Sequence, residues 1–145
     1  MIRYVADANV VFSALISGRE GYLRMFTDFD ILLPDFALLE IQEHQRQILE
    51  DTRVNPELFR ELTLRIFSYL TVVPNMLLST RSYLAAYQLC KDIDEDDTVY
   101  LAVAIEFDIK LISKDEELIN GLRAKGFQNI IHLSEFFAQL EAEVN

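Results

Sequence analysis

The chain has 145 residues, of which 51% are hydrophobic and 26% charged, so we expect one globular domain over residues 1–145. Its single cysteine, Cys90, excludes an internal disulfide framework and a cysteine-rich zinc site. No long apolar run or signal-peptide pattern is present, which predicts a cytoplasmic protein without a membrane segment. The formal net charge of −11 argues against simple nucleic-acid binding, because non-specific affinity for nucleic acids comes mostly from lysine and arginine.

Short apolar runs alternate with longer segments of helical periodicity, which predicts βα units and a mostly parallel sheet. The predicted strands cover residues 2–6, 30–33, 70–73, 110–113 and 129–132. The predicted helices cover residues 10–16, 21–29, 79–91, 96–107, 115–125 and 134–143. Gly126 is expected to end the helix before it, and Ser134 to cap the last one.

Residues 35–69 predict a helical hairpin between the second and third strands. Asp35 is a suitable N-cap for its first helix. Three hydrophobic residues that follow are expected to pack into the core: Phe36, Leu38 and Leu39. The polar residues 42–47 indicate that this helix then projects from the domain. Asn55 before Pro56 predicts the start of the returning helix, because proline is favoured in the first helical turn.

Two features of this hairpin leave alternatives open. Its arginines could form a local basic stripe, or they could pair with neighbouring glutamates on solvated helix faces. The arginines are Arg46, Arg53, Arg60 and Arg65, and the glutamates are Glu43, Glu50, Glu57 and Glu61. An apolar edge of the returning helix could be core or a partner interface. It comprises Leu58, Phe59, Leu62, Ile66, Phe67 and Tyr69.

Four carboxylates are the strongest candidates for chemistry: Asp7, Glu40, Asp97 and Asp115. Asp7 and Asp115 follow predicted strands, and the strand ends on one side of an α/β sheet form the floor of a ligand crevice. Each acid also has a structural explanation. Asp7 (or Asn9) and Asp115 suit helix N-caps, and Glu40 suits a solvated helical position. The run of residues 92–97 is different, because its five acids exceed what capping requires.

Two other sites are weaker alternatives. Glu40 and His44 are four residues apart and could share a helix face as part of a transition-metal site, but a lone pair of this kind is weak support. Asp7 and Asn9 loosely resemble the strand end of haloacid-dehalogenase-like phosphatases. The asparagine removes the general acid of that class, and no insert is large enough for a cap domain.

The acids lie within motifs that follow one another along the chain. Residues 5–15 are a strand that ends in an aspartate and continues into an apolar helix, and residues 38–40 end in the second acid. Residues 94–104 pass from acids into an alanine-rich helix, and residues 111–115 are a strand that ends in Ser-Lys-Asp. With the last strand and helix at residues 130–137, this ordered set resembles the PIN domain family over nearly the whole chain. It most resembles the small single-domain bacterial and archaeal members, many of which are toxins of toxin–antitoxin pairs.

The resemblance implies an α/β fold, a three-layer α/β/α sandwich with a mostly parallel five-stranded sheet in the order 3-2-1-4-5. It also implies a metal-dependent endoribonuclease in which four residues are both catalytic and metal ligands: Asp7, Glu40, Asp97 and Asp115. All-oxygen ligation favours Mg²⁺ or Mn²⁺ over Zn²⁺. The auxiliary residues would be Asn9, Asp94 and Ser113, with the Asn9 side chain orienting Asp7.

The third motif offers three aspartates. Its spacing to Ala102 and Ala104 favours Asp97, with Asp94 as an auxiliary or alternative ligand, but which of Asp94, Asp96 and Asp97 ligates metal stays open. The implied partners are an RNA substrate, a small antitoxin protein and a second copy of the chain in a homodimer. The alternative function is a catalytically silent PIN-fold module for binding or regulation.

Overall fold

The computed structural model describes residues 1–144, in which the strands form one parallel sheet with the order β3-β2-β1-β4-β5. The strands are β1 (Arg3–Ala6), β2 (Asp30–Pro34), β3 (Thr71–Val73), β4 (Lys110–Ser113) and β5 (Ile130–His132). The predicted α/β class and the implied strand order are therefore confirmed. The strands have three to five residues, and the buried residues of β1, β2, β4 and β5 are mostly apolar because both faces of the sheet are covered there, whereas the edge strand β3 is largely exposed.

The helices cover both faces of the sheet. They are α1 (Ala8–Ser17), α2 (Glu20–Asp28), α3 (Phe36–Glu43), α4 (Gln45–Asp51), α5 (Pro56–Tyr69), α6 (Thr80–Cys90), α7 (Thr98–Phe107), α8 (Glu116–Ala124) and α9 (Leu133–Val144). In one layer, helix α1 contacts three helices, which are α3, α4 and α5. Helix α2 also contacts α5, and α9 packs beside α2 through a ring contact between Tyr22 and Phe137. Helix α6 packs on α7 and α8 in the other layer. Among the described residues, no helix is both long and apolar enough to cross a membrane.

The sheet register positions the site. Strand β1 lies in the centre and pairs with β4, with Val5 opposite Leu111 and Ala6 opposite Ile112. These four residues are almost completely buried. Both strands consequently end at the same edge, which is where the strand order reverses and ligands bind in open α/β sheets.

The structure corrects the predicted orientation of α3. The side chains of Phe36, Leu38 and Leu39 are 47%, 37% and 63% exposed, so the expectation that they enter the core is wrong. Ala37 is the buried residue of this helix instead. Because α3 packs closely on α1 and β2, the small side chain faces inward and the large ones face solvent.

One predicted helix cap is confirmed in its position but lacks the side-chain bond, and a second predicted cap is wrong. Asp35 stands at the N-cap of α3, but its Oδ2 accepts a hydrogen bond from the Asn75 backbone N–H at 3.1 Å, and no cap bond forms. Ser134 lies inside α9, which begins one residue earlier. Its backbone N–H donates to His132 Nδ1 at 3.0 Å, so the histidine takes the expected role of the serine.

The hairpin of residues 35–69 contains a helix break that the pattern of polar residues did not predict. Helix α3 ends at Glu43 and α4 begins at Gln45, so three helices replace the expected two. Residues 42–47 are exposed as predicted, and the buried Ile48 then anchors α4. The apolar edge of α5 divides: Ile66 is core, Phe59, Leu62 and Phe67 are partly buried against it, and Leu58 and Tyr69 are exposed.

Candidate metal centre

Asp7 and Asp115 lie just beyond the adjacent ends of β1 and β4. Each is also a helix N-cap: Asp7 Oδ1 accepts from the Val10 N–H at 3.1 Å, and Asp115 Oδ1 accepts from the Leu118 N–H at 3.1 Å. The two explanations for these acids are therefore compatible. A cap bond to one oxygen fixes the carboxylate and leaves its other oxygen for a ligand.

Three carboxylates form a tight group at this edge. One oxygen each of Asp94, Asp97 and Asp115 lie within 4.8 Å of one another. Asp97 is half-buried, while Asp94 and Asp115 are exposed. Asp94 Oδ1 also accepts from the Asp96 N–H at 3.0 Å, which fixes the short 3₁₀ turn (Glu95–Asp97) before α7. Of the three aspartates in the third motif, Asp94 and Asp97 therefore belong to this group and Asp96 does not.

The remaining two predicted acids face the same group. Burial, followed by the negative charges of Asp94, Asp7, Asp115 and Glu40, raises the pKa of Asp97 to about 7. The other three predicted ligands and the auxiliary Asp94 are thus within electrostatic reach of Asp97. Like charges brought this close repel strongly unless protons or cations compensate them.

Asp7 is the most buried of these acids, at 6% exposure. Burial raises its pKa to about 6, with a smaller contribution from Glu40, while hydrogen bonds from the Val10 and Asn9 backbone N–H groups and from the Ser113 side chain act in the opposite direction. Asn9 itself is exposed and approaches Asp7 through its backbone N–H rather than through the side chain that was predicted to orient it.

Ser113 connects the two strand-end acids. Its side chain is completely buried and hydrogen-bonds Asp7, and its Oγ accepts from the Asp115 backbone N–H at 3.1 Å. One hydroxyl therefore fixes the relative position of Asp7 and the turn that carries Asp115. This geometry is consistent with the auxiliary position predicted for Ser113.

Tyr100 is a residue of the site that was not predicted from the sequence. Its hydroxyl donates to Glu40 Oε1 at 2.7 Å, and its ring is buried at 2% exposure. Burial and the neighbouring Glu40 carboxylate raise the pKa of Tyr100, so the hydroxyl keeps its proton and acts as a donor. The available signal was a tyrosine on an otherwise small and apolar helix, since a buried tyrosine hydroxyl needs a polar partner.

The transition-metal alternative through His44 does not match this geometry. His44 Nδ1 hydrogen-bonds the Glu40 backbone carbonyl at 2.8 Å, and the ring packs on Phe12 with centroids 4.9 Å apart. The group that could hold a metal ion in the described residues consists of aspartates. Such a hard, all-oxygen donor set suits Mg²⁺ or Mn²⁺, whose charge would offset the repulsion among the acids.

Comparisons with solved structures agree with the fold. The protein PAE2754 from Pyrobaculum aerophilum superposes with a TM-score of 0.66 at 16% identity, over 97% of this chain and 90% of that one. VapBC2 from Rickettsia felis, bound to a DNA fragment from its promoter, gives a TM-score of 0.62 at 13% identity, over 90% and 98%. A toxin–antitoxin complex from Klebsiella pneumoniae gives 0.59 at 11% identity, over 88% and 95%.

A search of curated proteins gives no significant match. At these low identities the solved structures show a common fold and nothing finer. A family model of the PIN domain matches residues 5–134, which run from the second half of β1 through β5 and include all the acids described above. On that match, together with the 3-2-1-4-5 sheet and the acids at its edge, the chain belongs to the PIN domain family.

Proposed function

We propose that this chain is a metal-dependent endoribonuclease that hydrolyses RNA phosphodiester bonds. The observation that carries the proposal is the group of Asp94, Asp97 and Asp115, whose oxygens lie within 4.8 Å of one another. Membership of the PIN family supports it, as do Asp7 and Glu40 facing the same group. Repulsion among carboxylates this close destabilises the fold unless protons or a cation compensate it, and this supports a cation-binding role.

The residues divide into those that would hold a cation and those that hold the carboxylates. Asp94, Asp97 and Asp115 would bind Mg²⁺ or Mn²⁺, with Asp7 and Glu40 as further ligands, directly or through water. The bound ion would acidify a water molecule and stabilise charge on the attacked phosphate. Ser113 and Tyr100 would fix Asp7 and Glu40 by hydrogen bonds, in the way that outer partners orient ligands in metal sites.

The proposal is tested by incubating the purified protein with a fluorescent single-stranded RNA in Mg²⁺, in Mn²⁺ or in EDTA. We expect internal cleavage products with either metal and none in EDTA. Asp97→Asn should reduce cleavage by at least a hundredfold, since it removes a carboxylate from the centre of the group. The matched control is Asp51→Asn, an exposed acid on α4 that accepts a hydrogen bond from Gln47.

Two results would count against the enzyme. Cleavage that persists in EDTA, or that is equal in Asp97→Asn and wild type, would show that these acids do not form a catalytic metal centre. A folded protein that binds metal but cleaves no RNA of any sequence would favour the catalytically silent binding module instead.

We also propose that the protein acts as the toxin of a toxin–antitoxin pair, as a homodimer in the cytoplasm. The support is the fold shared with the VapBC2 and Klebsiella pneumoniae toxin–antitoxin structures. Expression alone should arrest growth, and Asp97→Asn should relieve the arrest. Sedimentation that shows only monomers at micromolar concentration would contradict the dimer.

A further inference from the structure

A groove of about 590 Å³ lies on the face formed by α1, α2 and α5, and it is lined by three exposed arginines. Arg19 precedes α2, Arg53 lies in the turn between α4 and α5, and Arg65 lies on α5. Two carboxylates, Glu20 and Glu61, also line the groove, so its net charge is positive by one. On a chain with a net charge of −11, such a surface is unusual.

The groove arginines differ from other arginines on the helical layer. Arg24 pairs with Asp28 at 3.6 Å, and Arg46 pairs with Glu50 at 3.9 Å. Among the side chains of residues 1–142, the guanidinium groups of the three groove arginines form no ion pair. The two alternatives for the hairpin arginines, a basic surface or salt bridges to glutamates, thus each apply to some of them. Arg46 follows the salt-bridge alternative, and two of the others join Arg19 in a basic groove.

The walls of the groove are fixed to each other. The Arg53 backbone N–H donates to the Ile16 carbonyl at 2.9 Å, and the Thr52 hydroxyl donates to the Leu15 carbonyl at 2.9 Å. A Cβ on Gly18 would collide with Val54, so the turn after α1 lies directly against the turn before α5. The arginine backbones are therefore held in place before any ligand binds.

The groove continues toward the acidic centre. Arg19 also lines the adjoining cleft, which contains Lys114 and His132. Lys114 immediately precedes Asp115, and its Nζ donates to Ser13 Oγ on α1 at 2.8 Å. Lys114, next to Asp115 in the sequence, and Arg19 thus line a cleft that adjoins the groove, and one carboxylate, Glu141, lines the same cleft.

We propose that this groove binds the ribose-phosphate backbone of the RNA substrate, with Arg19, Arg53 and Arg65 contacting phosphates of nucleotides outside the acidic centre. The inference rests on the proposed function, because it assigns the path of that enzyme's substrate. Unpaired, exposed guanidinium groups on a fixed scaffold are suited to bidentate contacts with phosphate. The net charge of −11 does not exclude this binding, because phosphate affinity depends on local cations and the groove has three arginines against two carboxylates.

The test measures binding separately from cleavage. A fluorescent 20-nucleotide single-stranded RNA is titrated with full-length protein in EDTA, which prevents metal-dependent hydrolysis, at several salt concentrations. The test variant is the double substitution Arg53→Gln with Arg65→Gln. The matched control is Arg24→Gln with Arg46→Gln, which removes the same two charges from the paired arginines.

We expect the groove variant to bind RNA at least tenfold more weakly at low salt, with the control within twofold of wild type. Loss of two phosphate contacts should reduce the slope of log K against log salt concentration by about 1.4. Melting temperatures should stay equal, because all four arginines are on the surface.

Equal affinity of groove variant and control would overturn the inference, and so would wild-type protein that binds no RNA at low salt. Unchanged RNA affinity would indicate that the groove serves a protein partner instead. These results are distinct from failure of the proposed function. In that case the RNA would bind through the groove and yet remain uncleaved in Mg²⁺ or Mn²⁺.

Discussion

Asp7 and Asp97 determine how the metal-free protein responds to pH. Their folded-state pKa values are raised to about 6 and about 7, above the ordinary value of 3.8. Between pH 4 and 7 these two carboxyl groups bind more protons in the folded state than in the unfolded chain, so their contribution to stability falls as the pH rises through this window. Urea denaturation in EDTA from pH 5 to 8 should show this decline. Stability that rises with pH over the same range would contradict it.

Replacement of Asp7 should separate stability from metal binding. Its carboxylate is buried and must ionise against its surroundings, so Asp7→Asn should stabilise the metal-free protein at pH 7.5 by about 1–3 kcal/mol. The same change should weaken any stabilisation by Mn²⁺. Thermal melts with and without the ion measure both effects. Asp51→Asn, a surface acid, should alter neither, and a destabilised metal-free Asp7→Asn protein would contradict the account.

The hydroxyl of Tyr100 gives a finer test of the site, since it donates to Glu40 at 2.7 Å. Tyr100→Phe keeps the ring in the core and removes only this hydrogen bond, so we expect a stability loss of about 1 kcal/mol. Mn²⁺ affinity should fall several-fold, because Glu40 would no longer be fixed. Calorimetric titration compares this variant with Tyr22→Phe, whose ring packs on Phe137 away from the acids. Equal Mn²⁺ affinity in both would show that the hydrogen bond is only structural.

At the scale of elements, the strands were predictable and the orientation of the helices was not. The central strands are buried on both faces and read as apolar runs, so residues 110–113 agree with β4 without a shift. Helix α3 shows the limit, because Ala37 rather than Phe36 faces inward. Composition cannot show which face lies toward the neighbouring helix, since that depends on the close approach of α1 and α3.

The turn between α1 and α2 provides a prediction at this scale. Gly18 has φ +64° and no room for a Cβ beside Val54, whereas Gly126 has φ +88° and open space around it. Gly126→Ala should therefore cost only the backbone strain, about 1 kcal/mol, and Gly18→Ala should cost more. Urea denaturation gives the difference, which Val54→Ala in the Gly18→Ala background should reduce. Equal costs at the two glycines would contradict the close packing of the turn.

At the scale of the whole molecule, the acid positions were predictable because they follow strands or begin helices in a fixed order. The spacing favoured Asp97 and kept Asp94 as an alternative, and the structure groups both with Asp115 because the 3₁₀ turn separates their side chains from that of Asp96. The hydrogen bonds from Ser113 to Asp7 and from Tyr100 to Glu40 also depend on tertiary contacts. The net charge of −11 argued against nucleic-acid binding, but it is a sum over the whole chain and does not show the local excess of arginine in the groove.

The central claim is that these converging carboxylates form a divalent-cation centre, and calorimetric titration of metal-free protein with Mn²⁺ tests it most directly. We predict saturable binding at pH 7.5 that weakens toward pH 5.5, because protons compete for Asp7 and Asp97. Binding should be lost in Asp97→Asn and retained in Asp51→Asn. Absence of binding in the wild type, or equal binding in all three proteins, would contradict the claim.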